Sequence, residues 1–262
     1  MIVDFGKTSE DYSRYRIGFP PAFFDRLAAF GIGQPGQRLL DLGTGTGTLA
    51  RGLALRGCQV IGMDIATAQM EHARRLDEAA GVTVEYRVAP AEDTGLPSAS
   101  FDVVTAGQCW HWFDRARAAA EIQRVLMPGG HLVIAYLDWL PMRGNVVEAT
   151  EALIVRHNPW WTYLGGVGIH PEWVRDVAEA GFRDIETFSF DVDLPYSHEA
   201  WRGRVRASAP IAATLTPEQV LVFDAEFQSL LSQDFSAEPM LVPHRVFAII
   251  CTMPAPCERL QA

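Results

Sequence analysis

Between Leu39 and Thr48 the chain reads Leu39-Leu40-Asp41-Leu42-Gly43-Thr44-Gly45-Thr46-Gly47-Thr48, an apolar run that breaks at three alternate glycines and passes into a helical pattern over Gly47–Arg56. A strand that turns this tightly into a helix leaves the first helical amides open, and glycine lets a ligand come close to the backbone. The same order recurs downstream. Gln59–Asp64 is a second strand-like run, and Thr67–Ala80 is helical with Met70, Ala73 and Leu76 at helical intervals. Val82–Val88 alternates as a strand, Phe101–Ala106 is a buried strand, and Asp114–Leu126 is a helix. Pro128-Gly129-Gly130 makes a turn into the strand His131–Leu137. Repeated βα units predict an α/β fold with a parallel sheet covered by helices on both faces, and right-handed crossovers make it doubly wound.

The second half is less regular. Asp138–His170 is rich in Trp, Pro and Gly without a clear period, and so long an irregular stretch reads as a lid or substrate loop. Pro171–Ala180 predicts a helix, Arg183–Leu194 a strand, Ser197–Leu231 two inserted helices and Leu241–Cys251 the last strand. Lys7–Phe30 looks helical and precedes the sheet. The expectation is one domain over 1–262, with a helical cap at 1–35, a cofactor-binding core at 36–137, irregular and helical substrate-side insertions with the sixth strand at 138–240, and a final strand at 241–251.

Composition bounds the partners. With 32 acidic against 22 basic residues the net charge is -10, and no run of Lys or Arg offers the basic face that displaces counterions from phosphates. Nucleic acid is therefore not an expected partner. Cys58, Cys109, Cys251 and Cys257 form no CxxC pair and have no zinc-site spacing, so no metal is expected and the thiols read as reduced. The first residues carry no signal-peptide pattern. The longest apolar run, His131–Leu140, is too short to span a bilayer and contains Asp138. A cytoplasmic protein off the membrane is expected, with a homodimer left open.

Four acids narrow the ligand. Asp41 lies in the first turn, where a carboxylate suits a cationic group and repels a pyrophosphate. Asp64 ends the second strand, where it can accept both hydroxyls of a ribose, in NAD as in an adenosyl cofactor. Glu92 and Asp93 follow the third strand, where an acid can meet an adenine amino group. A cationic amino-acid end, a ribose and an adenine outline S-adenosylmethionine. Glycine spacing alone does not decide, because Gly45-x-Gly47-x-x-Ala50 also satisfies the dinucleotide pattern.

Five segments in order carry a resemblance to a known family. They are Leu40-Asp41-Leu42-Gly43-Thr44-Gly45-Thr46-Gly47, Gly62-Met63-Asp64-Ile65-Ala66, Ala91-Glu92-Asp93, Ser100-Phe101-Asp102-Val103-Val104 and Arg124-Val125-Leu126-Met127-Pro128-Gly129-Gly130. Together they resemble the class I S-adenosylmethionine-dependent methyltransferases, in the type-11 branch that includes ubiquinone and menaquinone biosynthesis enzymes. Gln108-Cys109-Trp110-His111-Trp112-Phe113-Asp114 is similar to a segment of small-molecule methyltransferases of the trans-aconitate type. Tyr15-Arg16-Ile17-Gly18-Phe19-Pro20 resembles the start of that group, with Ile17, Gly18 and Phe19 departing from it.

The resemblance implies a Rossmann-like seven-stranded sheet with its last strand antiparallel. It also implies S-adenosyl-L-methionine as cofactor. Asp41, Gly43, Thr44, Gly45 and Gly47 would face its methionine part, Asp64 its ribose, Met70 its adenosine and Glu92 or Asp93 its adenine edge, with Ile65 also among the cofactor-binding residues. Gln108 would follow the fourth strand, and Tyr12, Tyr15 and Arg16 would close over the carboxylate. The acceptor side is assigned Trp110, His111, Trp139, Trp160, Trp161 and His244.

Each residue also has a structural reading. Asp64 can be a helix cap, Met70 core, His111 a packed histidine between tryptophans, and the loop tryptophans a cover for the core. Methyl transfer from a sulfonium is a direct displacement, and a general base is needed only for a hydroxyl or a protonated nitrogen acceptor. His111 is the motif-borne residue for that role. The implied reaction is methylation of a small-molecule acceptor at oxygen or nitrogen, a carboxylate or a secondary-metabolite intermediate being among the options. An NAD-dependent oxidoreductase and a non-catalytic S-adenosylmethionine-binding protein remain alternatives.

Overall fold

Strands β1 (Arg38–Leu42), β2 (Gln59–Asp64), β3 (Glu85–Val88), β4 (Phe101–Gly107), β5 (Leu126–Trp139), β6 (Arg183–Tyr196) and β7 (Met240–Thr252) form one sheet in the order β3-β2-β1-β4-β5-β7-β6. Six strands run parallel and the last is antiparallel. The computed structural model describes Tyr15 and residues 17–162, 164–212 and 214–255. In β1 every residue after Arg38 is buried, as expected of a strand covered on both faces. From β1 the chain winds outward through β2 to β3 and returns on the other side at β4, so the order reverses between β1 and β4. Ligands of doubly wound sheets lie at the carboxyl ends of the strands beside such a reversal.

The helices are α1 (Pro21–Ala29), α2 (Thr48–Ala54), α3 (Thr67–Ala80), α4 (Arg115–Val125), α5 (Val146–His157), α6 (Pro171–Glu179), α7 (His198–Arg206), α8 (Ala209–Ala212) and α9 (Pro217–Asp234). None of the described helices is long and apolar enough to cross a membrane.

The chain falls into two compact units. One comprises Gly18–Tyr136, His170–Ser189 and the residues from Val246 onward. Its core joins Leu40, Leu42, Val104, Ala106 and Ile134 of the sheet to Ile122 and Val125 of α4 and to Trp173 and Val177 of α6. Each such side chain contributes about 1.5–3 kcal/mol on burial. In this unit α1, from the expected cap, lays Phe24 against α2 so closely that a Cβ on Gly52 would collide with its ring. The other unit comprises Leu137–Ile169 and Phe190–Arg245 with Tyr15 and Ile17. There α9 packs on α5 and α7 and buries Phe223, Phe227 and Leu231.

Three expectations change. The stretch 138–170 is not irregular throughout, because α5 occupies its middle. Asn145 caps that helix by accepting the Glu148 N–H at 2.8 Å, and Val146, Val147, Thr150, Glu151, Leu153 and Ile154 form its buried face. Next, β5 begins at Leu126, directly after α4, and the expected Pro128-Gly129-Gly130 turn is a bulge within it. Phe101 pairs with Leu126 but Val103 with His131, and the bulge is held by Gly129 N–H to Met253 O at 2.9 Å and Met253 N–H to Gly130 O at 2.8 Å. Finally, Leu76 is 39% exposed, and Asp77, 3% exposed, takes the inward position beside Ala73 on α3.

Candidate functional site

Register brings the strand ends level. Leu42 pairs with both Met63 and Ala106, and Ala106 pairs with Ile134. Gly43, Asp64, Gly107 and Ala135 therefore follow side by side, with Gln108 and Tyr136 one step beyond.

The glycine loop is fixed from both sides. Thr44 N–H donates to Met63 O at 2.9 Å, and Gly45 N–H donates to Asp64 Oδ2 at 2.8 Å. Gly47 has φ of +73°, and a Cβ there would meet the Tyr86 hydroxyl. A Cβ on Gly45 would lie 2.8 Å from Gln69 Oε1, and one on Gly43 would lie 2.8 Å from Cys109 Sγ. The sequence did not single out the clamp behind the loop. Arg51 Nη2 donates to Thr46 O at 2.6 Å, its Nε stands 3.1 Å from Asp77 Oδ1, and Tyr86 OH donates to Asp77 Oδ2 at 2.8 Å. Burial raises the pKa of both Asp77 and Tyr86. The available signal was an acid at an inward position of α3.

Asp41 is not in the mouth of the loop. It is 1% exposed, Oδ2 accepts from Thr44 Oγ1 at 2.6 Å, and Oδ1 accepts from Thr105 Oγ1 at 2.6 Å. Burial raises its pKa to about 6 although both hydroxyl bonds lower it. The strand direction points this side chain into the sheet's covering layer, so Asp41 ties the loop to β4. Asp64 is half-buried; besides Gly45 it accepts the Ala66 N–H through Oδ1 at 2.8 Å. Ile65, next to it, is 73% exposed, an apolar face beside a polar group.

Met70 is 1% exposed and belongs to the core face of α3. Glu92 Oε1 accepts the Asp114 N–H at 2.8 Å and so is tied to the start of α4, whereas Asp93 is exposed. Gln108 has φ of +60°, left-handed for a residue with a Cβ, and its N–H donates to Ala135 O at 2.8 Å. Conformations of this kind cost about 1–3 kcal/mol and concentrate where a site dictates the backbone.

Residues Trp110–Trp112 form a short 3-10 turn after β4. Trp110 is fully buried and donates Nε1–H to Asp176 Oδ2 at 3.1 Å, which ties it to α6. His111 is exposed, and its Nδ1 is hydrogen-bonded to the Tyr136 hydroxyl. Tyr136, 5% exposed, lies with ring centroids 4.8 Å from His170 and 4.4 Å from Trp173, and His170 stacks on Trp173 at 3.8 Å. The histidine thus has its ring orientation set by a buried phenol, a partner the motif did not reveal.

The remaining acceptor-side residues belong to the second unit. Trp139 donates Nε1–H to Glu151 Oε1 at 3.0 Å and packs edge-on to Trp201 at 5.3 Å. His244 is 3% exposed, donates Nδ1–H to Val242 O at 2.9 Å and lies 6.0 Å from the Tyr196 ring. Burial holds its pKa down at about 4, so it is a neutral, packed histidine. Trp160 is 90% exposed, and Trp161 N–H donates to Asn158 O at 3.1 Å. Tyr15 lies against α7, where a Cβ on Gly203 would collide with its ring. Tyr12 and Arg16 lie outside the described residues. Among the described residues no group of three or more His, Cys, Asp or Glu is placed to hold a metal.

Half-buried Asp64 stands at the end of β2 and exposed Asp93 after β3, while Arg51 is committed to Thr46 O and Asp77. A pyrophosphate would find little cationic support at such strand ends, whereas a cationic ligand is favoured there.

The methyltransferase-domain family model matches residues 40–134. The chain is 30% identical over 195 residues to the ubiquinone biosynthesis O-methyltransferase of Xanthomonas campestris pv. campestris, covering 72% of this chain and 77% of that protein. It is 34% identical over 153 residues to an uncharacterized methyltransferase of Mycobacterium tuberculosis, covering 56% of this chain and only 60% of the relative's length. The solved structure of phosphoethanolamine N-methyltransferase 2 of Haemonchus contortus in complex with S-adenosyl-L-methionine shares the fold, with a TM-score of 0.57 and 22% identity over 97% of this chain and 60% of that one.

Proposed function

Because the chain belongs to the class I S-adenosylmethionine-dependent methyltransferases, we propose that it transfers a methyl group from S-adenosylmethionine to a small-molecule acceptor at oxygen or nitrogen. The observation that carries this reading is the Gly43–Gly47 loop clamped over Asp41 and Asp64, with exposed Ile65 beside it and acids rather than cations at the strand ends. The residues present fit the cofactor. Asp64 would exchange its bond to Gly45 or Ala66 for the ribose hydroxyls, Ile65 would cover one face of the adenine, and Asp93 would meet its amino group. Gly43, Thr44, Gly45 and Gly47 would pass beside the methionine part. Bound there, the cofactor supplies a methyl carbon activated by its sulfonium; the acceptor's lone pair forms the new bond as the carbon–sulfur pair leaves on sulfur.

The chain's own work is alignment and, for a hydroxyl or protonated nitrogen, removal of the acceptor's proton. His111 is assigned to that proton, taking it at Nε2 while the Tyr136 hydroxyl holds Nδ1 and the ring angle. The protein is read as acting in the cytoplasm. The test is release of S-adenosylhomocysteine over a panel of phenols, amines and organic acids. With a hydroxyl acceptor, His111→Ala should lower kcat by about 10²–10⁴-fold while cofactor affinity stays unchanged. Turnover intact in that variant would remove the base from the mechanism. Cofactor binding without turnover on any acceptor would favour the non-catalytic reading.

A further inference from the structure

Helix α7 carries Arg202, Arg204 and Arg206, and the outer two are already engaged. Arg206 donates to Asp224 Oδ1 at 2.7 Å and to Glu199 Oε1 at 3.0 Å, and Arg202 donates to Asp224 Oδ1 at 3.0 Å and stands 3.2 Å from Glu199 Oε2. These two are one turn apart and share a face; Arg204 is two residues from each and points to the opposite side. Among the described residues Arg204 has no hydrogen-bond acceptor and no carboxylate at ion-pair distance. Its guanidinium carbon lies 5.1 Å from the centre of the Trp139 ring, half-buried in the same unit. Removal from water disfavours its charge, opposed by the charges of Tyr196 and then Asp138.

Cations left in this state are costly unless something pairs with them. Trp139 is not free to move aside, because Glu151 holds its indole N–H at 3.0 Å and also accepts the Gly165 N–H at 2.9 Å. The chemistry of the missing partner can be read from the surroundings. A guanidinium fork matches the planar oxygens of a carboxylate or a phosphate. Here there is one cation, His244 is neutral, and the charge of Asp138 acts on the same group, so a monoanion is favoured over a phosphate dianion. The indole face adds preference for an organic body.

We infer that Arg204, seated against Trp139, is a recognition site for an organic monocarboxylate. Benzoate, trans-cinnamate and butyrate are titrated calorimetrically into the full chain, with benzamide and inorganic phosphate as controls, and S-adenosylhomocysteine is titrated separately. At least one acid should bind about tenfold or more tightly than benzamide and phosphate, and Arg204→Gln should lose that margin while Arg204→Lys keeps part of it. In the wild type, the bound acid but not benzamide should slow modification of Arg204 by phenylglyoxal, a readout that needs no variant to fold. No binding by any acid, equal binding by folded Arg204→Gln, or no protection of Arg204 overturns the inference. Acid binding through Arg204 without S-adenosylhomocysteine binding would instead leave this site standing and remove the methyltransferase reading.

Discussion

Asp41 shows how a loop acid can act through the fold. An Asp carboxyl ordinarily titrates near 3.8, and burial here lifts it to about 6. Between those values the folded chain holds a proton that the unfolded chain has lost, so this group's contribution is full below the lower value and falls as pH rises to the upper one. Asp41→Asn abolishes that titration. Thermal unfolding from about pH 4 to pH 6.5 should show a wild-type decline relative to the variant worth at most about 3 kcal/mol; parallel curves would contradict the assignment. At Gly47 the positive φ and the Tyr86 hydroxyl act together. Gly47→Ala should lower the free energy of unfolding by about 2–4 kcal/mol, from backbone strain of about 1–2 kcal/mol plus the disturbed Tyr86–Asp77 bond. Denaturant titration reads this directly. Asp64 was legible as the end of the second strand, because the apolar run stops there. The burial of Met70 and Trp110 was not, because a motif gives spacing but not the side that a side chain faces.

Among the elements, α5 was hidden by composition. Flanking Trp, Pro and Gly masked a stretch whose start nonetheless carries a cap, Asn145, followed by Glu148 three residues on. Asn145→Ala should cost about 1 kcal/mol, seen as a lower denaturation midpoint with an unchanged slope. The βα units from β1 to β5 were legible because β1, β2, β4 and β5 carry apolar runs set by burial and the helices have a period, while β3 at the sheet edge shows only alternation. The β5 bulge was not, since Pro128-Gly129-Gly130 spells a turn locally and only Met253, distant in sequence, draws Gly129 and Gly130 into the strand. Arg204 was missed for the same kind of reason: three alternate arginines look alike in sequence, and only Asp224 on α9 separates the engaged pair from the third.

For the whole molecule, topology does most of the functional work. The reversal between β1 and β4, with level strand ends, gathers the glycine loop, Asp64, Gln108 and the His111–Tyr136 pair at one edge of a single unit. In the proposed function, the acids at these strand ends disfavour a pyrophosphate and favour a cationic ligand. Calorimetric titration of the full chain with S-adenosylmethionine, S-adenosylhomocysteine and NAD, alongside Asp64→Asn, tests this most directly. The account predicts micromolar binding of the first two, weakened at least about tenfold in the variant, with a stabilisation near 2.7 kcal/mol at a hundredfold excess over Kd. Binding of NAD with none of the adenosyl ligands would contradict it.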